Sequence, residues 1–179
     1  MFDRNSILIH IPHSSVLIPE RYRQDILLSD SEFETELLRI TDRYTDELFD
    51  IPGIQTHVNH VSRLVMDPER FRSDLDEPMA SKGMGLAYTR TSDGTRLRDL
   101  SVADRESILN DLYDPYHATL TEKVNKILGE CSSCLIIDAH SFPSAPLPYE
   151  VDQSKHRPDI CLGYEKDHIE PQFVTMSAS

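Results

Sequence analysis

Residues Ile7-Leu8-Ile9-His10-Ile11 form an almost unbroken β-branched and apolar run that Pro12 stops, a pattern that predicts a buried strand over 7–11. The strand hands over to the polar turn His13-Ser14-Ser15 at its carboxyl end, where α/β proteins build their sites. From Ser31 the period changes: Phe33, Leu37, Ile40, Tyr44 and Leu48 recur at helical spacing as far as Pro52-Gly53, with Ser31 and Glu34 read as a capping box. Short strands are expected at 55–58 and 61–66. The stretch 67–99, rich in Asp, Ser, Gly and Arg, reads as a long excursion, and its glycines make it a candidate lid.

Ser101 can cap a second helical region, in which Ile108, Leu112, Tyr116, Leu120, Val124 and Ile127 keep period. Pro115 is expected to kink or split it and Gly129 to end it. Cys134-Leu135-Ile136-Ile137-Asp138-Ala139-His140 then repeats the opening design of an apolar strand running into polar residues, and the proline-rich loop 141–148 cannot continue it. Strands alternating with helices predict an α/β fold, a mixed and largely parallel sheet covered by helices.

Composition narrows the function. Eighteen Lys+Arg against 31 Asp+Glu in 179 residues leave a net charge of −13, which disfavours nucleic acid as a partner. No apolar run approaches the roughly 18–20 residues of a membrane span. No export signal is readable and there are only three cysteines, so the cytoplasm is the expected location. Cys131-Ser132-Ser133-Cys134 precedes a strand instead of opening a helix after one, and Cys161 alone does not complete a zinc ribbon. Gly83-Met84-Gly85 is too short for a phosphate loop and is read as letting the excursion turn.

The chemistry gathers at the strand tips. His13-Ser14 and His140-Ser141 each follow an apolar run, and in a parallel sheet those tips are neighbours. Two neutral imidazoles leave one ligand to find for a hydrolytic zinc site, although either histidine could simply be a hydrogen-bonded loop residue. Asp42 offers that ligand from a helical stripe with Leu38, Thr45 and Phe49; an ordinary acidic helix surface is the alternative. Arg63, within the apolar stretch 61–66, could pair internally with Asp67 or present its fork to a substrate carboxylate or a developing oxyanion, with Arg70 nearby. Asp138 lies on the same strand face as His140 and either orients the site or caps the loop. His117, after Pro115, either reaches a cleft or packs.

Together His10-Ile11-Pro12-His13-Ser14-Ser15, Asp42-Arg43-Tyr44-Thr45-Asp46-Glu47-Leu48-Phe49, Ser62-Arg63-Leu64-Val65-Met66-Asp67, Asp114-Pro115-Tyr116-His117, Ile137-Asp138-Ala139-His140-Ser141 and Arg157-Pro158-Asp159-Ile160-Cys161-Leu162-Gly163 resemble, in order over roughly residues 7–163, the N-formylglutamate amidohydrolase family. The resemblance implies one domain over 1–163 with a tail at 164–179 and a zinc-exopeptidase-like (phosphorylase/hydrolase-like) core. It implies zinc, or another divalent ion, at His13, Asp42 and His140, and hydrolysis of an N-formyl or N-acyl amino acid, a step of histidine catabolism. Arg63 and Asp138 are then the expected catalytic residues, and Arg63, Asp67, Arg70 and His117 line the cleft for a small acidic substrate. Two alternatives stay open: a non-catalytic metal-binding homologue, and an amidase of another substrate class on the same scaffold. Family members continue past the Arg-Pro-Asp segment, so the resemblance implies a shortened core whose general base belongs beyond Ser179, with Glu165, Asp167 and Glu170 as loose surface. Poor turnover, an unpaired sheet edge and self-association into a homo-oligomer are the corresponding expectations.

Overall fold

Residues Ile7–Ile11 (β1) form the middle strand of a three-stranded sheet in the order β2-β1-β3, with β2 at Gln55–Val58 and β3 at Leu135–Asp138. This is a computed structural model, and it describes residues 3–154, 156–165 and 167–168. Both pairings are parallel, and one register row runs His57, His10, Asp138 across the sheet. Leu8, Ile9 and Ile11 are fully buried, as a central parallel strand covered on both faces requires. β3 half-buries alternate residues and leaves Ile136 46% exposed, the pattern of an edge.

The helices are Glu20–Arg23 (α1), Asp30–Ile40 (α2), Thr45–Leu48 (α3), Val102–Ile108 (α4) and Asp114–Cys131 (α5). No described helix is long and apolar enough to cross a membrane. α2 starts two residues earlier than the spacing predicts. Ser29-x-x-Glu32 overlaps Ser31-x-x-Glu34, and the first pair makes the capping box, which gains further backbone hydrogen bonds for the helix.

The predicted continuous helix to Leu48 is also corrected. Thr41 turns extended (φ −81°, ψ 128°), Asp42 N–H leaves the helix to donate to the His13 carbonyl (3.0 Å), and Tyr44 sits at φ 67° before α3 begins. Asp42 therefore belongs to a break, not to a helical stripe. Residues 61–66 likewise form a turn and no strand: the Ser62 carbonyl accepts from both Val65 and Met66.

In the second helical region Pro115 falls in the first turn of α5, where a missing N–H costs nothing. The chain widens into a π turn at Leu109–Tyr113 just before it. α5 runs past Gly129 to Cys131 and closes on Ser132 at φ 61°.

The excursion 67–99 is a wall, which corrects the lid expectation. Leu86, Tyr88 and Leu97 are fully buried in it and pack with Phe33, Ile40 and Leu64 or with Val65, Met66 and Ile108. The buried Arg98 ties it down, donating to the carbonyls of Tyr88 (2.8 Å), Leu64 and Val65 (both 3.0 Å). Gly83 makes its turn at φ +74°, where an added Cβ would meet Arg90 Cγ at 2.8 Å. Of the segment 164–179 only Tyr164, Glu165, Asp167 and His168 are described; Glu170 lies outside the described residues.

Candidate metal centre and active site

Three elements converge at the carboxyl ends of the strands. His13 follows β1, His140 follows β3, and their rings approach to 5.3 Å between centroids because β1 and β3 are direct parallel neighbours. The break between α2 and α3 brings in Asp42. One ligand atom each from His13, Asp42 and His140 lie within 4.8 Å of one another. His140 Nδ1 is 2.8 Å from Asp42 Oδ2, and His13 Nδ1 is 3.7 Å from the same oxygen.

A carboxylate stands behind each imidazole. Asp67, with no exposed side-chain surface, takes His13 Nε2 at 2.9 Å; Asp138 stands 3.5 Å from His140 Nε2. A carboxylate only accepts, so His13 Nε2 carries the proton and, in the neutral ring, Nδ1 keeps its lone pair. Glu69 faces both rings on this same outer side, 3.4 Å from His13 Nε2 and 3.3 Å from His140 Nε2. Asp67 is in turn held by Arg63 Nη2 and the Tyr88 hydroxyl, both at 2.8 Å, and by the Glu69 N–H at 3.1 Å.

The electrostatics favour a cation. Four carboxylates (Asp42, Asp67, Glu69, Asp138) face two guanidiniums, Arg63 and Arg70. Burial alone would lower the pKa of His140, but hydrogen bonds to Asp138, Asp42 and Glu69 outweigh it and push the value up to about 12. For His13 burial is likewise outweighed, chiefly by Asp67, and the shift is upward. Burial opposes ionisation of Asp67, yet Arg63 and His13 hold its carboxyl well below the usual range. A field that holds protons on histidines so strongly is also one that attracts a metal ion.

A cavity of about 490 Å³ opens beside the cluster, walled by Asp42, Arg43, Arg63, His140, Phe142 and Arg157 among others. Arg63 reaches it, but its Nε and Nη2 are committed to Asp67, so the internal salt bridge wins and only Nη1, 3.9 Å from Asp42 Oδ1, remains towards the cavity. Asp67 is sealed from the cleft and serves His13; this corrects its expected substrate-binding place. Arg70 lies along Asp67 at 3.5 Å and is not part of the cavity wall. His117 also stays out of the wall: its Nε2 meets the Pro68 carbonyl at 3.0 Å and its ring packs on Tyr113. Glu69, Tyr88, His10 and Tyr116 are the site residues that sequence reasoning missed. Only His10 had a local signal, as the one ionisable residue in the run 7–11.

A parallel α/β sheet with a His-Asp-His set gathered at its strand tips, opening on a cavity with Arg43, Arg63 and Arg157 in its wall, defines an α/β protein with a candidate metal centre at the carboxyl end of its sheet. The family description N-formylglutamate amidohydrolase matches residues 5–178, and the chain belongs to that family. It is 27% identical over 168 residues to the N-formylglutamate deformylase of Pseudomonas putida and 30% identical over 168 residues to that of Pseudomonas aeruginosa, each alignment taking in 89% of this chain and 59% of the relative. The chain thus spans under two thirds of the length of the curated relatives it matches. The crystal structure of N-formylglutamate amidohydrolase from Ralstonia eutropha superposes with a TM-score of 0.67 at 23% identity, covering 78% of this chain and 54% of that one. A gene product of Agrobacterium tumefaciens gives 0.57 at 21%, with 78% and 55% covered. At these identities the structures share the fold.

Proposed function

We propose that this chain carries the metal-holding side of a cytoplasmic amidohydrolase that cleaves the C–N amide bond of an N-formyl or N-acyl amino acid, N-formylglutamate before others. The names of its relatives support the substrate. The observation that carries the reading is His13 Nδ1: it is buried, has no hydrogen-bond partner among the described residues, and is aimed at Asp42 beside His140. An orphaned imidazole nitrogen facing a carboxylate and a second imidazole is a donor set that fits zinc or another divalent ion. When bound, such an ion supplies Lewis acidity to the carbonyl and to the attacking water.

The chain's own residues do the rest. Asp67 and Asp138 hold the rings with both Nδ1 atoms turned inward. Arg63 offers Nη1 to a developing oxyanion or a substrate carboxylate from the cavity wall. Arg43 adds local positive charge, which a dicarboxylate needs in order to approach a chain of net charge −13, while Arg157 is paired with Glu150 of the same wall at 2.9 Å. Glu69 orients both imidazoles from the outer side. Its carboxylate is on the wrong side of the rings to take a proton from a nucleophile at the Nδ1 side.

The test measures metal and turnover separately. Equilibration with zinc followed by elemental analysis is expected to give one ion per chain, lost in His13→Ala and His140→Ala with unchanged circular dichroism. Glutamate release from N-formylglutamate by these 179 residues is expected to be weak. A chain that retains no zinc would sink the reading; strong turnover abolished by Glu69→Gln would show that Glu69 is the base.

A further inference from the structure

One register row of the sheet, His57-His10-Asp138, carries three ionisable residues on a face where β1 is otherwise apolar. Asp138 ends the row next to the centre described above. His10 also falls with Glu69 and Asp138 in a second group whose ligand atoms lie within 4.8 Å of one another, but it is buried and its two ring nitrogens are both engaged: Nδ1 is 2.6 Å from Asp138 Oδ1, and Nε2 is 2.5 Å from the Tyr116 hydroxyl. His57 stacks on His10 at 6.0 Å with an interplanar angle of 13° and on Tyr116 at 4.3 Å, covering the pair on its other side.

The donor and acceptor roles along this path are forced. The Asp138 carboxylate only accepts, so His10 Nδ1 donates to it. In the neutral ring Nε2 is then an acceptor, and the Tyr116 hydroxyl supplies the proton. Asp138 Oδ1 is thereby fixed, which leaves Oδ2 turned to His140 Nε2 at 3.5 Å. Without an ion His140 Nδ1 donates to Asp42 Oδ2 at 2.8 Å; when an ion displaces that proton, a proton kept on Nε2 by Asp138 leaves the Nδ1 lone pair for the side where Asp42 and His13 meet. The other imidazole has a matching arrangement: His13 is held by Asp67, and Asp67 by a tyrosine hydroxyl, that of Tyr88. A buried tyrosine thus stands at the end of each path, one directly on the carboxylate and one through a histidine.

We propose that Tyr116 and His10 are positioning residues for His140, acting through Asp138 to fix which imidazole nitrogen faces the ion. The inference rests on the metal reading above. It assigns a role to α5, which supplies Tyr116 and otherwise takes no part in the site.

Zinc titration against a chromophoric chelator tests it in wild type, Tyr116→Phe, Asp138→Asn and the double variant. Tyr113→Phe serves as control: that hydroxyl, on the preceding turn, donates to the Arg70 carbonyl (2.9 Å) and lies off the path. Tyr116→Phe is expected to weaken zinc binding roughly 10–100-fold, the range found when a partner behind a metal histidine is removed, and to alter the visible spectrum of the cobalt-substituted protein. The double variant is expected to match Asp138→Asn alone, because the two residues act through one path. Nitrogen-15 shifts of His140 in the zinc-loaded protein are expected to show a changed Nε2–H environment in Tyr116→Phe and to stay put in Tyr113→Phe. Wild-type affinity in Tyr116→Phe, or fully additive losses in the double variant, would overturn the proposal and leave the metal reading standing; no zinc binding by wild type overturns both.

Discussion

His57 shows at the level of one residue what burial does to an imidazole. It is 4% exposed and its Nε2 has no partner. Burial first, then the nearby Lys123 and His10, lower its pKa from 6.5 to about 4. The unfolded chain therefore takes up a proton near pH 6.5 that the folded chain refuses until about pH 4, so stability falls as pH drops through that window. The cost grows to about 3 kcal/mol at its lower end. Urea unfolding at several pH values is expected to show a shallower slope below pH 6.5 in His57→Phe than in wild type; parallel curves would count against it. His13 and His140 are legible because apolar runs ending in His-Ser pairs reveal strand tips. Glu69, Tyr88 and Tyr116 were not, since each matters through a contact with a residue far along the chain. Arg63 was legible only as a choice between two partners, and three dimensions were needed to give its fork to Asp67.

Among the elements, α2 and the break after it matter most. The spacing places Asp42 on one helix from 31 to 48, and it reaches the site because that helix stops at Ile40. Periodicity could not reveal this: Tyr44 and Leu48 keep helical spacing across the break, yet they are 55% and 70% exposed. What interrupts the helix is tertiary, the Asp42 N–H bonding the His13 carbonyl. β1, β2 and β3 were placed well because parallel strands are compact apolar runs. The stretch 61–66 has the same composition but spends its backbone groups on a turn about Ser62. The capping box of α2 gives a direct check. Ser29→Ala removes the side chain that accepts from Glu32 N–H and is expected to cost about 1 kcal/mol in urea unfolding. Ser31→Ala, at the box the spacing favoured, is expected to cost much less.

On the scale of the whole molecule the sheet is narrow. β1 is paired on both sides, whereas among the described residues no strand pairs with the outer side of β2 or of β3. Ile136, on β3, and Phe142, just after it, are 46% and 39% exposed. An open edge with apolar neighbours is a template for another strand. Sedimentation velocity is expected to show reversible, concentration-dependent association that Ile136→Lys suppresses; a monomer at every concentration would rule out the edge as an adhesive surface.

The pairing of β1 with β3 also sets a clock. Ile11 leaves the ribosome some 120 residues before Leu135, a delay of roughly 6–25 s at ordinary rates of synthesis. Throughout it the most apolar strand of the chain has β2 on one side and nothing on the other. His13 and Asp42 have both been made by then, but the set is not assembled until β3 slots in beside β1. A nascent chain stalled before residue 135 would thus be both inactive and sticky, a natural client for a chaperone that shields bare strand edges.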